Sequence, residues 1–327
     1  MTGPNTVAGS GEAQSSSVRP TLDLIRTFCL GTPTDGAVEV ARGAMGRVFR
    51  VETSTGVWAL KELFGLTHGA SEQQLEEQAS FVDAAGKAGV AAPRIVRSVD
   101  GAIVAVVDGA RWRAFEWVDV AGPSTLEQAG ATLARLHAAG WPTPNDVEPR
   151  YRDRTVGGPW GALLDRARGQ PWAPALRAQV PEIEALEAIA REATVPPCRM
   201  CHRDFNEANV VVDRAGRVVV LDWDDCGPLP PEWEVGTVLL NGGRGHWRTD
   251  TAAGIREFVI AYRHEGGVFA PTGVEVFSAV LAAHYNYLAQ ATDLALAGDR
   301  WARESVESIV AHPIGVATLR KILDAVP

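Results

Sequence analysis

Lysine is nearly absent from this chain: of its 31 basic residues, only Lys61, Lys87 and Lys321 are lysines. Cysteine is scarce too, at four in 327 residues, too few for a disulfide framework and suited to a reducing compartment. No run approaches the ~18 apolar residues of a membrane span. The first residues offer neither a basic start nor an apolar stretch, so no secretory signal is expected. Positive charge is also in deficit. With a formal net charge of -9 the chain would repel a phosphate backbone or an anionic membrane surface. These absences speak against nucleic acid and membrane as partners, and a cytoplasmic location is expected. The 46% of apolar residues is ample for a core, and at ~150 residues per domain the length suggests two domains or one domain in two lobes.

Residues 1–18 are Gly, Ser and polar without periodicity, which predicts a disordered tail. A short helix over 22–30 precedes three strands, two within 38–53 and one over 57–63, with turns at Gly43 to Gly46 and at Ser54-Thr55-Gly56. Ser71, with Gln74 three residues on, reads as a capping box opening a helix to Ala88. Strands follow over 95–99, 103–107 and 112–118, separated by the hairpin signals Asp100-Gly101 and Asp108-Gly109. Beyond Gly122-Pro123 the pattern turns helical, over 124–139, 181–193, 251–262, 273–297 and 301–326. One hairpin, 210–221, interrupts it.

That hairpin carries the chemistry. Val210 to Val212 and Val218 to Leu221 are uniformly apolar and read as two buried strands folded about Asp213-Arg-Ala-Gly216. Folding brings Asn209 next to Asp222, 13 residues later, while Asp204 lies five residues before Asn209 in the approach loop. Two carboxylates and an amide oxygen, all hard donors suited to Mg²⁺, thus converge at one end of a rigid element.

His202-x-Asp204-x-x-x-x-Asn209 followed by Asp222 resembles the active-site signature of aminoglycoside phosphotransferases and the related choline-kinase-like small-molecule kinases. Leu133-Ala-Arg-Leu-His137 and the strand lysine Lys61 extend the likeness, which covers roughly 38–225. The resemblance implies an α+β, bilobal protein-kinase-like fold: an N-terminal nucleotide-binding lobe over 19–118, with antiparallel sheet plus one helix, and a mainly helical catalytic and substrate-binding lobe over 119–327. It also implies roles. Asp204 would be the catalytic base or orienter of the substrate hydroxyl, and Asn209 and Asp222 the Mg²⁺ ligands. Lys61 would hold the nucleotide phosphates, oriented by Glu77, sixteen residues later, or by its neighbour Glu76. Gly43 and Gly46 would bracket the loop over the phosphates. Phe115 would be the gatekeeper, with the Glu116 carbonyl and Val118 N–H at the adenine edge. His202 and His137 read as structural.

The chain departs from the small-kinase pattern in having Arg203 where His-Gly-Asp is common. No long activation segment follows Asp222, which disfavours a protein kinase. Asp224, Asp225, Glu232 and Glu234 would suit a cationic or polyhydroxyl acceptor and equally suit ordinary solvated surface. The implied function is a Mg-dependent O-phosphotransferase moving the γ-phosphate of ATP or GTP to a hydroxyl of a small molecule. An antibiotic is the favoured acceptor, because arginine-for-lysine with abundant Ala and Gly fits a high-GC genome, where self-resistance kinases occur. The alternatives are a metabolite kinase acting on a sugar, choline-like amine or homoserine, and a pseudokinase that binds ligand without turnover.

Overall fold

Strands β1 (Val38–Arg42), β2 (Gly46–Thr53) and β3 (Gly56–Leu63) form the expected antiparallel meander. This computed structural model describes residues 20–42, 46–64, 70–144, 146–242 and 246–327. β4 (Ile95–Val96), β5 (Ala105–Val107) and β6 (Ala110–Glu116) complete a six-stranded sheet in which β6 pairs with β3, β4 and β5. Asp108 and Gly109 both take positive φ, 53° and 76°, the two left-handed residues that a tight hairpin between β5 and β6 requires.

Alternation decides what each sheet face does. Phe49, Val51, Leu60, Trp112 and Ala114 share one face and are buried with Leu24 and Ile25 of α1 (Leu22–Thr27) and with Phe28, which caps it. On the other face Val48, Lys61 and Arg113 are cross-strand neighbours. A one-residue slip of register would move Lys61 into the core under α1.

Helix α2 (Glu72–Lys87) opens on the expected capping box, with Ser71 Oγ accepting from Gln74 N–H and Gln74 Oε1 accepting from Ser71 N–H. The chain divides into two compact units, one of residues 1–75 and 94–117, the other of 76–93 and 118–327. Most of α2, read from sequence as part of the first lobe, therefore belongs with the second unit. The reason is its apolar stripe: Phe81 is fully buried, its ring edge-on to Trp141 and Trp223.

In the second unit β7 (Val120–Pro123) pairs with β9 (Val210–Asp213), which pairs with β10 (Val218–Val220). β8 (Arg199–Cys201) pairs with β11 (Gly227–Leu229). The short strands β7, β8 and β11 have no period long enough to show in sequence. Helices α3 (Leu126–Ala139), α4 (Trp160–Arg166), α5 (Ala173–Glu192), α6 (Pro231–Asn241), α7 (Ala252–His264), α8 (Ser278–Leu296), α9 (Arg300–Ala311) and α10 (Val316–Ala325) make up the rest. Two helices depart from expectation. α5 starts eight residues before Pro181 because Pro174 serves as an early helical residue, and burial of Ala173 and Leu176 offsets the hydrogen bond that Pro181 cannot make. The stretch read as one helix over 301–326 is broken at His312–Gly315, around Pro313. Among the described residues no helix is long and apolar enough to cross a membrane.

α3 and α7 pack closely because α3 carries Gly130 at the crossing. A Cβ there would meet the Phe258 carbonyl oxygen and lie 3.1 Å from both Ala261 Cβ and Tyr262 N. Gly130→Ala, which in an open helix would stabilise by about 0.5–1 kcal/mol, is therefore expected to destabilise by about 1–3 kcal/mol. A chemical-denaturation midpoint measures this, and a midpoint shifted upward would contradict the packing argument.

Candidate active site

From Arg199 to Leu229 the chain runs as one long hairpin held by two ladders. β8 pairs with β11 at one end and β9 with β10 at the other. Between the ladders two irregular segments, 202–209 and 221–226, face each other, stitched by Leu221 N–H to the Asn209 carbonyl at 2.7 Å and by the His202 ring to the Leu221 carbonyl at 3.0 Å. Asp204, Asn209 and Asp222 all sit on these two segments. The convergence read from sequence is therefore a property of paired strands.

Both Asp204 carboxylate oxygens are fixed by amides. Asn206 Nδ2 donates to Oδ1 at 2.9 Å and Asn209 Nδ2 donates to Oδ2 at 2.7 Å. Burial, followed by the charges of Asp222 and Asp225, raises the Asp204 carboxyl from its ordinary 3.8 to about 7, against the hydrogen bonds from Asn209 and Asn206. The Asn209 amide nitrogen is spent on Asp204, so its oxygen is the atom it offers a cation. Asp222, exposed, holds a left-handed backbone, φ 56° and ψ 64°, and starts the single turn Trp223–Asp225. Trp223 Nε1 donates to the Val220 carbonyl at 2.8 Å, and Gln78 Nε2 of α2 donates to the Asp224 carbonyl at 2.8 Å. Hard oxygen donors on two facing segments fit a small divalent cation.

His202 is fully buried. Its Nδ1 accepts from Asp204 N–H at 3.3 Å, which assigns the proton to Nε2, the nitrogen facing the Leu221 carbonyl. Burial lowers its pKa, so it is a neutral brace between the two segments.

Behind the loop lies a buried network that sequence reasoning missed. Glu234, on α6, is 1% exposed. Its Oε1 accepts from Arg203 N–H and its Oε2 lies 2.8 Å from His137 Nε2, while His137 Nδ1 lies 2.7 Å from the Tyr262 hydroxyl. Glu234 is thus no acceptor ligand but an anchor for the backbone next to Asp204. Cys201 joins the cluster, with the ligand-type atoms of His137, Cys201 and Glu234 within 4.8 Å of one another. Both His137 nitrogens are already engaged, and burial pushes the Cys201 thiol well above its ordinary value, so these contacts make a hydrogen-bonded network.

Asp225 is also consumed internally, by Arg150, Tyr151 and Arg203. Glu232 is half-buried, and burial and then the Glu275 charge raise its pKa. No sequence signal marks these partners, because Arg150 and Tyr151 lie in a stretch without periodicity.

In the first unit, Lys61 is 8% exposed on β3. A Cβ at Gly46 would strike the Glu62 carbonyl oxygen and come within 3.5 Å of Lys61 Cε, so only glycine lets β2 run this close beside the lysine. Gly43 lies outside the described residues. Arg113, buried, is the cross-strand neighbour of Lys61, and its guanidinium lies 5.2 Å from the centre of the half-buried Phe115 ring. Glu116 N–H donates to the Arg94 carbonyl at 2.9 Å. Val118 opens the longer of the two segments that make up the second unit. Glu77 and Glu76 are both exposed on α2, in the second unit, whereas Lys61 belongs to the first.

A family model described as "Phosphotransferase enzyme family" matches residues 36–275, from just before β1 to just before α8. The chain belongs to that family. It is a small-molecule phosphotransferase enzyme by this membership. Solved structures agree on the fold. A spectinomycin phosphotransferase in complex with ADP and spectinomycin is 12% identical, with 89% of this chain and 93% of that one covered at a TM-score of 0.61. An aminoglycoside phosphotransferase from Alicyclobacillus acidocaldarius is 15% identical, with 96% and 100% covered at 0.56. A microcompartment-associated aminopropanol kinase is 18% identical, with 93% and 94% covered at 0.56. No match was found among curated protein sequences. The α+β, protein-kinase-like architecture of this phosphotransferase is the one that the resemblance implied.

The Glu234 anchor has a measurable pH signature. Burial opposes its charge, but the His137 hydrogen bond and charge, with the Arg203 N–H, hold its carboxyl below the ordinary 4.5. A lowered folded-state value stabilises the protein above the unfolded value and is lost as pH falls through the folded one. Glu234→Gln keeps an acceptor for Arg203 N–H and is expected to flatten the loss of stability below about pH 4.5, read as urea midpoints from neutral to acid. An acid limb of unchanged slope would contradict it.

Proposed function

We propose that this phosphotransferase moves the γ-phosphate of ATP or GTP to a hydroxyl of a small molecule in a Mg²⁺-dependent reaction. The observation that carries the reading is the pair of facing segments that holds Asp204, Asn209 and Asp222 between two β-ladders. Phosphoryl transfer asks for in-line positioning and charge neutralisation rather than covalent work by the protein. Asp204, its rotamer fixed by Asn206 and Asn209, orients the acceptor hydroxyl and takes its proton. Asn209 and Asp222 hold Mg²⁺, which neutralises charge on the nucleotide phosphates.

The nucleotide is assigned to Lys61 for the phosphates, with Glu77, or failing it Glu76, orienting the lysine. Gly43 and Gly46 belong to the covering loop, Phe115 to the gatekeeper position, and the Glu116 carbonyl and Val118 N–H to the adenine edge. Residues 19–118 then serve nucleotide binding and 119–327 catalysis and acceptor binding. The ADP of the spectinomycin phosphotransferase complex supports a nucleotide donor.

For the acceptor we favour an antibiotic, on the likeness to the spectinomycin and aminoglycoside enzymes. The 18% identity with the aminopropanol kinase supports an amino alcohol as the second reading. Engagement of Asp225 and Glu234 within the protein removes two of the four acidic groups that would have recommended a polycation.

The test is nucleotide turnover with Mg²⁺ and ATP or GTP against antibiotics and small amino alcohols. Asp204→Ala is expected to lower acceptor-dependent turnover by about 10²–10⁴-fold with nucleotide binding largely intact. Asp222→Ala should weaken Mg-nucleotide binding as well. Equal losses of nucleotide affinity in the two variants would contradict the assigned roles, and tight nucleotide binding without turnover on any acceptor would favour a pseudokinase.

A further inference from the structure

The side chain of Arg203 is 4% exposed and lies one residue before Asp204, with φ at 68°, a left-handed backbone that glycine takes freely and arginine does not. Something must hold an arginine there. Its guanidinium is held close to two surfaces: it lies over the Tyr151 ring, whose centre is 5.0 Å from Cζ, and it approaches the backbone of Gly227. A Cβ on Gly227 would lie 2.6 Å from Arg203 Cζ and 2.7 Å from each terminal nitrogen, so the guanidinium fits there only with glycine at 227. From there Nε donates to the Asp225 carbonyl, the last residue of the turn that begins after Asp222.

The edges of the guanidinium enter a closed ring of alternating charge. Glu148 lies 2.7 Å from Arg203, Arg203 lies 3.6 Å from the Asp225 carboxylate, Asp225 binds Arg150, and Arg150 Nε returns to Glu148 at 3.0 Å. Tyr151 is at its centre. The Tyr151 ring lies beneath both guanidiniums, with Arg150 Cζ at 4.6 Å, and its hydroxyl donates to Asp225. Two carboxylates and two guanidiniums sum to no net charge, so Asp225 is neutralised within the ring. The segment that supplies it is rigid too: Val147 and Tyr151 are buried beside Cys201 and Trp233, and Asn286 Nδ2 donates to the carbonyls of Arg150 and Asp153 at 3.0 and 2.8 Å.

We propose that Arg203 is a positioning residue for the metal-binding turn. Held against Tyr151 and Gly227, it fixes the Asp222–Asp225 turn through the Asp225 carbonyl and carboxylate, and so sets the carboxylate of Asp222 for Mg²⁺. The proposal rests on the assignment of Asp222 as a Mg²⁺ ligand. Residues that orient a metal ligand from behind typically change metal affinity by about 10–100-fold when removed.

The experiment titrates Mg²⁺ into the full chain with the non-hydrolysable nucleotide AMP-PNP. It reads the Mg²⁺ concentration for half-maximal nucleotide binding, and separately the melting temperature without metal. In Arg203→Ala the half-maximal concentration is expected to rise about tenfold, with nucleotide affinity in the absence of Mg²⁺ unchanged. Gly227→Ala, which displaces the guanidinium, should do the same. The double variant should match either single one within about twofold, because neighbours acting through one contact are not additive. Glu148→Gln, at a side chain 42% exposed, removes one partner without opening the core and should shift the titration in the same direction if Arg203→Ala does not fold. A lower melting temperature with an unchanged Mg²⁺ titration in Arg203→Ala would reduce the residue to packing and overturn the proposal, as would effects of Arg203→Ala and Gly227→Ala that multiply. Wild-type nucleotide binding that ignores Mg²⁺ would instead remove the metal assignment of Asp222, and this proposal with it.

Discussion

Carboxylates repel one another, and Asp204, Asp222 and Asp225 lie together on two short facing segments. Burial, and then the charges of Asp222 and Asp225, push the Asp204 carboxyl up to about 7. The cluster is held both from within these segments and from outside them. Two β-ladders clamp the ends of the segments, and His202, buried and neutral, braces them across the middle. The Asn206 and Asn209 amides bind Asp204 without adding charge, and the guanidiniums of Arg150 and Arg203 neutralise Asp225.

Support comes in layers that grow drier with depth. The chain preceding Asp204 is held by Glu234, which spends its two oxygens on Arg203 N–H and His137. His137 ends α3 against Tyr262 of α7, so the tight α3–α7 crossing over Gly130 and the polar anchor belong to one packed body. Burying a carboxylate this deeply is costly unless each lone pair finds a donor. Here the donors come from elements far apart in sequence, and a change in the helix pair would therefore be felt at the loop. On the Asp222 side the equivalent supports are the Phe81–Trp223 edge contact and the Gln78 hydrogen bond, which explain why α2 groups with this unit.

Much of this was legible in the sequence because it is local. The strands within 38–53 and over 57–63, the Asp108-Gly109 turn, the Ser71 capping box and the apolar arms of the 210–221 hairpin each carry their signal within a few residues, and all are present. The spacing of Asp204, Asn209 and Asp222 likewise needs only a hairpin to bring them together. What was missed is what lacks a period or lies far away. β7, β8 and β11 are three or four residues long. Pro181 suggested a helix start because proline is at home there, yet burial on the earlier turn carried α5 through it.

The sequence by itself carried the likeness to a phosphotransferase family, through the order and spacing of a few polar residues beside apolar strands, and it marked the strands of the first sheet. Tertiary structure alone decided which acidic groups remain available. Asp225 and Glu234 look the same in sequence as Asp222 or any other nearby carboxylate, and their fate depends on Arg150, Tyr151 and His137, which are between 74 and 97 residues away. It also decided what Arg203 does, since its slot is assembled from Tyr151 and Gly227. Those encounters are set by packing between distant segments, and no window of sequence contains them.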